Sequence, residues 1–158
     1  MIVRRWELHL PIDLKSKNRS ELNRGGRARF GMYARERDGY ARTLRTVALQ
    51  ARVAPLALFA PGHVIASPPA AAPVPFRRVT VVRLMGTRQR AFDDDGFIGG
   101  AAAFRDACQR ERYHRGRYVP GAGLVWDDSA TWSEWHYEQR KSDDGRPGVL
   151  VVVEDVAR

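Results

Sequence analysis

Two short acidic segments contain the residues best suited to chemistry. The first is the run Asp93, Asp94 and Asp95, and the second is the pair Asp127 and Asp128. Carboxylates this close together repel one another, so the arrangement requires a bound cation or a shared proton. Mg²⁺ is commonly held by one or two carboxylates together with substrate phosphates. The two segments therefore indicate a divalent-metal site, and acidic metal ligands on a basic chain favour a phosphodiester substrate.

The chain as a whole is strongly basic. Its 27 Lys and Arg exceed its 18 Asp and Glu, which gives a formal net charge of +9, and 24 of the 27 basic residues are arginine. A GC-rich genome explains the preference for arginine as well as phosphate binding does, but it does not explain the net charge. A surplus of this size favours binding to a polyanion through counterion release. Residues 15–45 hold ten of the basic residues and three acidic ones, so the charge is concentrated there.

Length and composition indicate one domain spanning residues 1–158. Cys108 is the only cysteine, which excludes an intrachain disulfide and favours an intracellular setting. The N-terminal residues lack the apolar stretch of a signal peptide, and no run approaches the length of a membrane span. We therefore expect a cytoplasmic protein with no membrane partner.

Hydrophobic periodicity predicts strands alternating with helices, followed by a hairpin. We expect a mixed α/β (α+β) domain with a small mixed sheet. A mobile basic loop is predicted at Lys15–Arg29, and a long loop rich in proline and alanine at about Pro55–Phe76. The predicted strands are Ile2–Leu10, Arg78–Met85, a short extended piece at Leu124–Trp126, and a pair, Thr131–Arg140 and Gly148–Glu154, joined around Asp144-Gly145. The first predicted helix begins at Tyr33 or later, because Asp38-Gly39 interrupts its apolar pattern. The second predicted helix runs from Phe97 to Arg112.

The acidic segments also have simpler interpretations. One aspartate at 93–95 would cap the helix that follows, although three exceed that need. An EF-hand calcium loop is excluded, because with Gly96 at its sixth position both end positions, Ala91 and Ala102, lack a carboxylate. Asp127-Asp128 is equally compatible with a simple turn. His136 lies between aromatic residues on a predicted strand, where a packed or surface histidine is more common than a metal ligand.

The ordered set of motifs resembles the RusA-type Holliday-junction resolvases, particularly their phage-like branch. The opening is Pro11 followed by Ser16-Lys17-Asn18-Arg19, which matches that family's Pro-x-x-Ser-x-Asn-Arg pattern loosely. The middle is Phe92-Asp93-Asp94-Asp95-Gly96 leading into a helix, and the last element is Gly123-Leu124-Val125-Trp126-Asp127-Asp128-Ser129. The resemblance extends from about Leu8 to Glu154.

The resemblance implies a homodimer that binds branched DNA and hydrolyses a phosphodiester with Mg²⁺, for which Mn²⁺ is a possible substitute. The catalytic and metal-binding carboxylates would be Asp93, Asp95 and Asp128, with Asp94 and Asp127 as neighbours. The metal would polarise the phosphate and generate the attacking hydroxide. Together with the local charge, the resemblance assigns DNA contacts to Lys15, Lys17, Asn18, Arg19, Arg24, Arg27, Arg29 and Arg105.

Two positions depart from the family pattern. The family has an asparagine at the position of Gly96, and it has a lysine on the following helix, expected here near Gly99 or at Ala102. Such a lysine would stabilise charge that develops on the phosphate. Arg105, one turn beyond Ala102, is a candidate substitute. Two hypotheses follow: a structure-selective endodeoxyribonuclease, or a non-cleaving DNA-binding relative that keeps the fold and the basic surface.

Overall fold

A four-stranded mixed sheet forms the centre of the fold. The computed structural model describes residues 1–14, 27–53, 56 and 74–157, with the backbone alone at 27–30, 32 and 114. The mixed sheet and its helices confirm the predicted fold class. The strands are β1 (Ile2–Leu10), β2 (Phe76–Met85), β3 (Arg112–His114), β4 (Arg117–Val119), β5 (Ser133–Lys141) and β6 (Gly148–Val156), and the helices are α1 (Arg27–Gln50), α2 (Asp94–Gly100) and α3 (Ala102–Cys108).

The predicted hairpin between the last two strands is wrong. The strand order is β1-β6-β2-β5, so β2 lies between β5 and β6, and β5 pairs with β2 in parallel. The run Val149–Val153 is buried along its whole length, because β6 is a central strand with β1 on one side and β2 on the other. Strand β5 alternates between exposed and half-buried residues and forms an edge. The turn at Gly145 (φ +71°) therefore carries the chain past the end of β2 rather than between two paired strands.

The helices cover one face of the sheet. Leu8 of β1, Val79 of β2 and Val151 of β6 point toward them and are completely buried with Leu44 of α1 and Phe104 of α3. Helix α1 begins at Arg27, earlier than predicted, and continues through Asp38-Gly39. Its packing against α3 and β1 outweighs the weak intrinsic helix propensity of that pair. The backbone at 27–29, predicted as loop, is therefore helical.

The predicted second helix, Phe97–Arg112, is two short helices that begin and end earlier. Helix α2 starts at Asp94, α3 starts at Ala102, and Ala101 separates them. Gly99 and Gly100 precede the break, and glycine is among the poorest helix formers. Residues 112–119, for which the sequence predicts no strand, form the β3–β4 ribbon. Its turn places Arg115 (φ 51°) and Gly116 (φ 72°) in the left-handed region that a two-residue hairpin requires.

The remaining sequence predictions are only partly covered by the structure. Leu124–Trp126 follows bends instead of a short strand. Most of the proline-rich segment and residues 15–26 lie outside the described residues. Within the part that is described, no helix is both long enough and apolar enough to cross a membrane.

Candidate nuclease site

The first acidic segment lies at the start of α2. Asp93 is the N-cap residue, and its Oδ1 accepts a hydrogen bond of 2.8 Å from the Gly96 amide. The capping interpretation is therefore correct for Asp93. Asp94 and Asp95 occupy the first helical turn, and all three carboxylates are exposed. Among the described residues no arginine or lysine forms an ion pair with any of them, so no side-chain cation in that part of the chain offsets their mutual repulsion.

Gly96 fits this cap closely. A Cβ atom added at position 96 would overlap Asp93 Oδ1. A side chain at residue 96 would require the Asp93 carboxylate to shift from its present position over the backbone. Gly96, which stands where RusA-type resolvases have asparagine, therefore affects the conformation of Asp93, a candidate catalytic residue.

Side chains of the sheet hold the loop that leads into Asp93. The Arg83 guanidinium is 2% exposed and lies 3.7 Å from the Phe92 ring centroid, and its Nη1 donates to the Arg90 carbonyl. Gln139 bonds both backbone groups of Phe92, accepting from its amide at 2.9 Å and donating to its carbonyl at 2.8 Å. Lys141 Nζ donates to three carbonyls of the same loop, those of Gly86, Thr87 and Gln89. The loop is thus fixed to β2 and β5 before α2 begins.

The second acidic segment is neutralised by arginines. Arg105 Nε lies 3.1 Å from Asp128 Oδ2, and both side chains are about one-third exposed. Asp127 Oδ1 accepts bonds from the amide and hydroxyl of Ser129, which is the pattern of an Asx turn. Burial lowers the pKa of Arg110 and Asp127 acts against that shift, so Arg110 provides positive charge near Asp127. Asp127 is therefore a turn residue with an arginine beside it.

Two aromatic residues connect the acidic segments on the helix-covered side of the sheet. Tyr137 of β5 packs edge-on against Phe97 of α2, with ring centroids 5.8 Å apart. Burial raises the pKa of Tyr137, and both Arg105 and Asp128 are close enough to influence it. Its hydroxyl therefore stays protonated at neutral pH. Through Phe97, Tyr137 and Arg105, the start of α2 and Asp128 belong to one region.

The predicted carboxylates match a magnesium site in donor type but not in arrangement. Carboxylate oxygens are ligands that Mg²⁺ prefers. Among the described residues, however, no three His, Cys, Asp or Glu side chains are grouped so that they could hold a metal ion. Asp128 is paired with Arg105, and Asp93 is engaged as a helix cap. A shared ion would require both carboxylates to leave these partners.

The predicted DNA contacts are largely beyond the described part of the chain. Lys15, Lys17, Asn18, Arg19 and Arg24 lie outside the described residues. Arg27 and Arg29 lie on the first turn of α1, where the backbone alone is described. Arg105 is the one predicted contact whose side chain is described. Ala102, where the family has its lysine, is half-buried at the start of α3.

Sequence reasoning missed the residues that support the site. The sequence predicts Arg83 and Gln139 only as strand residues, gives Lys141 no role, and indicates Tyr137 only as an aromatic neighbour of His136. Alternation along β5 was a usable signal, because Trp135, Tyr137 and Gln139 share the face that packs on α2. His136 points the other way and pairs with Glu134 at 3.0 Å, in agreement with its interpretation as a surface residue.

Comparisons of the chain with protein-family models, with curated proteins and with solved structures gave no match.

Proposed function

We propose that this protein is a Mg²⁺-dependent, structure-selective endodeoxyribonuclease that cleaves branched DNA such as Holliday junctions. The observation that carries the proposal is the exposed Asp93–Asp95 segment, with no neutralising cation among the described residues, in the same region as the Arg105–Asp128 pair. The net charge of +9 supports a polyanionic substrate. The resemblance to RusA-type resolvases supports branched DNA and a homodimer, and the single cysteine favours a cytoplasmic setting.

Each residue of the site has a defined task in this proposal. Asp93, Asp95 and Asp128 would hold the ion, with Asp94 and Asp127 as neighbours. When bound, the ion supplies Lewis acidity and an activated water. Arg105 would contact the phosphate once Asp128 is released from it, because a guanidinium pairs with phosphate as well as with carboxylate. Tyr137, whose hydroxyl stays protonated, would donate a hydrogen bond in the same region.

A second candidate function is a DNA-binding protein that does not cleave. Two observations favour it: Asp128 is already neutralised by Arg105, and the described carboxylates form no three-ligand group. The absence of a charge at Ala102 points the same way. In this case the basic chain would bind DNA with the same salt dependence but without hydrolysis.

Cleavage of a synthetic four-way junction distinguishes the two functions. The labelled junction and a matched linear duplex are incubated with the protein in Mg²⁺, in Mn²⁺ and in EDTA. We expect metal-dependent cuts in the junction alone, and their loss in Asp95→Asn. Asp143→Asn, which removes an equally exposed carboxylate in the turn before β6, is the matched control and should cut like the wild type. Junction binding without cutting in either metal would establish the binding function instead.

A further inference from the structure

An aromatic cavity lies beside the candidate carboxylates. It has a volume of about 300 Å³, and its walls come from α2 and the edge strand β5. This volume is at the lower end of the range for small-molecule sites, about 300–1,000 Å³. Asp94, Phe97 and Ile98 line it from α2, where spacings of three and four residues place side chains on one helix face. Trp135 and Tyr137 line it from β5.

The walls of the cavity include flat aromatic rings that neighbouring side chains hold in place. The rings of Trp135 and Tyr137 are nearly parallel, at 18°, with centroids 6.5 Å apart. Phe97 is 2% exposed and supports Tyr137 edge-on, while Trp135 Nε1 donates to Ser133 Oγ at 2.9 Å. Ile98 is 44% exposed and forms an apolar rim. Such surfaces suit a planar aromatic group, because base-to-aromatic stacking is sequence-tolerant and favourable.

Asp94 supplies the one polar side chain among the described lining residues that has no partner there; the Tyr137 hydroxyl lies within hydrogen-bonding reach of Arg105. Gln139 also lines the cavity, but both ends of its amide are bonded to Phe92. The imidazole of His136 is paired with Glu134. The side chain of Asp94 has no hydrogen bond or ion pair within the described part of the chain. An ionised carboxylate only accepts hydrogen bonds, so the matching ligand group is an N–H donor.

We propose that this cavity binds one unstacked nucleobase of the DNA strand, selecting a base with an exocyclic amino group. The base would stack on Trp135 or Tyr137 and donate its amino hydrogen to Asp94. Asp93 and Asp95 flank Asp94 in sequence, so the base would lie next to the phosphate at those carboxylates. The assignment rests on the proposed action on DNA, and it separates Asp94 from the metal-binding role that the sequence predicted.

Short single strands test the base site without any need for cleavage. Oligodeoxycytidine and oligodeoxyuridine hexamers differ at ring positions 3 and 4: cytosine has an acceptor nitrogen and an amino donor, whereas uracil has an N–H donor and a carbonyl. A carboxylate that accepts from the amino group of cytosine would face the carbonyl oxygen of uracil at the same position. Their binding is measured by fluorescence anisotropy in EDTA at one fixed salt concentration. We expect the wild type to bind the cytidine hexamer about fivefold more tightly, since hydrogen bonds to charged groups are among the stronger ones. In Asp94→Asn the ratio should fall to about one, because an amide can also donate to the uracil carbonyl.

Tryptophan fluorescence reports stacking separately. Binding should quench the fluorescence of the wild type and of Trp132→Phe, and Trp135→Phe should lose most of the quench while keeping the fold. Asp143→Asn should retain the cytidine preference. Equal binding of the two hexamers by the wild type, or a preference that Asp94→Asn leaves unchanged, overturns the base site whether or not the junction is cut. A preference that Asp94→Asn removes, in a protein that cuts no junction, supports the base site and rejects the nuclease.

Discussion

Arg105 Nε lies 3.1 Å from Asp128 Oδ2, so a basic residue of α3 neutralises the carboxylate that the sequence assigns to a metal. The pair is about one-third exposed, and ion pairs of this kind contribute about 0–1 kcal/mol. A divalent ion can therefore compete with Arg105 for Asp128 at modest cost.

Replacing Arg105 should separate metal affinity from catalysis. In Arg105→Ala the carboxylate of Asp128 no longer has this competitor, so we expect Mn²⁺ affinity to rise by up to about fivefold, the equivalent of about 1 kcal/mol. Junction cleavage should fall, because the same guanidinium is the candidate phosphate contact. Calorimetric titration with Mn²⁺ and single-turnover cleavage measure the two effects.

Arg88→Ala is the control, since it removes an exposed arginine from the loop before α2. It should leave both quantities near their wild-type values. If Arg105→Ala instead bound Mn²⁺ more weakly than Arg88→Ala, Arg105 would not be competing with the ion for Asp128.

Asp93 should show a stability role that can be separated from its chemistry. Asp93→Ala removes the side-chain bond to the Gly96 amide, and losing an N-cap costs about 1 kcal/mol. Asp93→Ser keeps a cap but removes the carboxylate. We expect denaturant unfolding to show a loss of stability for alanine and near wild-type stability for serine, while both variants lose junction cleavage. Cleavage by Asp93→Ser at the wild-type rate would limit Asp93 to a structural role.

Arg83 should act on the site by positioning the acidic loop. Arg83→Met keeps much of the apolar stem but leaves the Arg90 carbonyl without this donor and removes the cation from the Phe92 ring. We expect a loss of about 1–3 kcal/mol in the free energy of unfolding, together with faster amide hydrogen exchange at residues 86–93. Arg78→Met, a half-exposed arginine on the opposite face of β2, is the matched control and should leave that exchange unchanged. Equal exchange in both variants would show that Arg83 does not hold the loop.

The bond between Tyr33 and Asp106 predicts a dependence of stability on alkaline pH. Tyr33 Oη donates to Asp106 Oδ2 at 2.5 Å, and burial together with this carboxylate raises the pKa of Tyr33. The pKa of Tyr33 in the folded state lies above its unfolded value of about 10. Protonated Tyr33 therefore stabilises the folded state fully below pH ~10, and this stabilisation is lost as pH rises through the folded-state pKa. Denaturant unfolding should therefore show wild-type stability falling above pH ~10, and Tyr33→Phe should remove part of that fall. Tyr113→Phe is the control, because Tyr113 has no carboxylate partner among the described residues. An equal change in both variants would show that Tyr33 does not cause the loss of stability at alkaline pH.

The fold class was predictable because it depends on local patterns. The Val-rich runs of β2 and β6 and the apolar spacing of α1 are strong signals, and the buried core uses them as expected. Pairing between strands was not predictable in the same way. The Asp144-Gly145 signal marked a real turn, but long-range burial decided that β6 pairs with β1 and β2.

The sequence indicated the candidate carboxylates but not the side chains that contact them. The positions of Asp93, Asp95 and Asp128 follow from their motifs, whereas the ion pair between Arg105 and Asp128 depends on how α3 faces residues 127–129. Burial of an arginine such as Arg83 has no local signature either. Its partners at residues 90 and 92 lie on the loop that follows β2, and Gln139 joins them when β5 pairs with β2 in parallel.

Introducing the lysine that RusA-type resolvases have on this helix should raise cleavage without changing DNA affinity. Ala102 is half-buried on the first turn of α3, three residues before Arg105, and lysine has good helix propensity there. An added cation contributes little to binding by a chain with a net charge of +9, since exposed charge contacts are worth about 0–1 kcal/mol. Near the phosphate it would act on charge that develops in the transition state, which accelerates the chemical step. We expect Ala102→Lys to cleave the junction about tenfold faster than the wild type, or more, in single-turnover assays. Groups that stabilise developing charge supply rate increases of this order and above. Ala102→Gln is the uncharged control. If the wild type already cuts rapidly and lysine adds nothing, Arg105 is the next residue to test in this role, because it is the nearest arginine along α3 and already contacts Asp128.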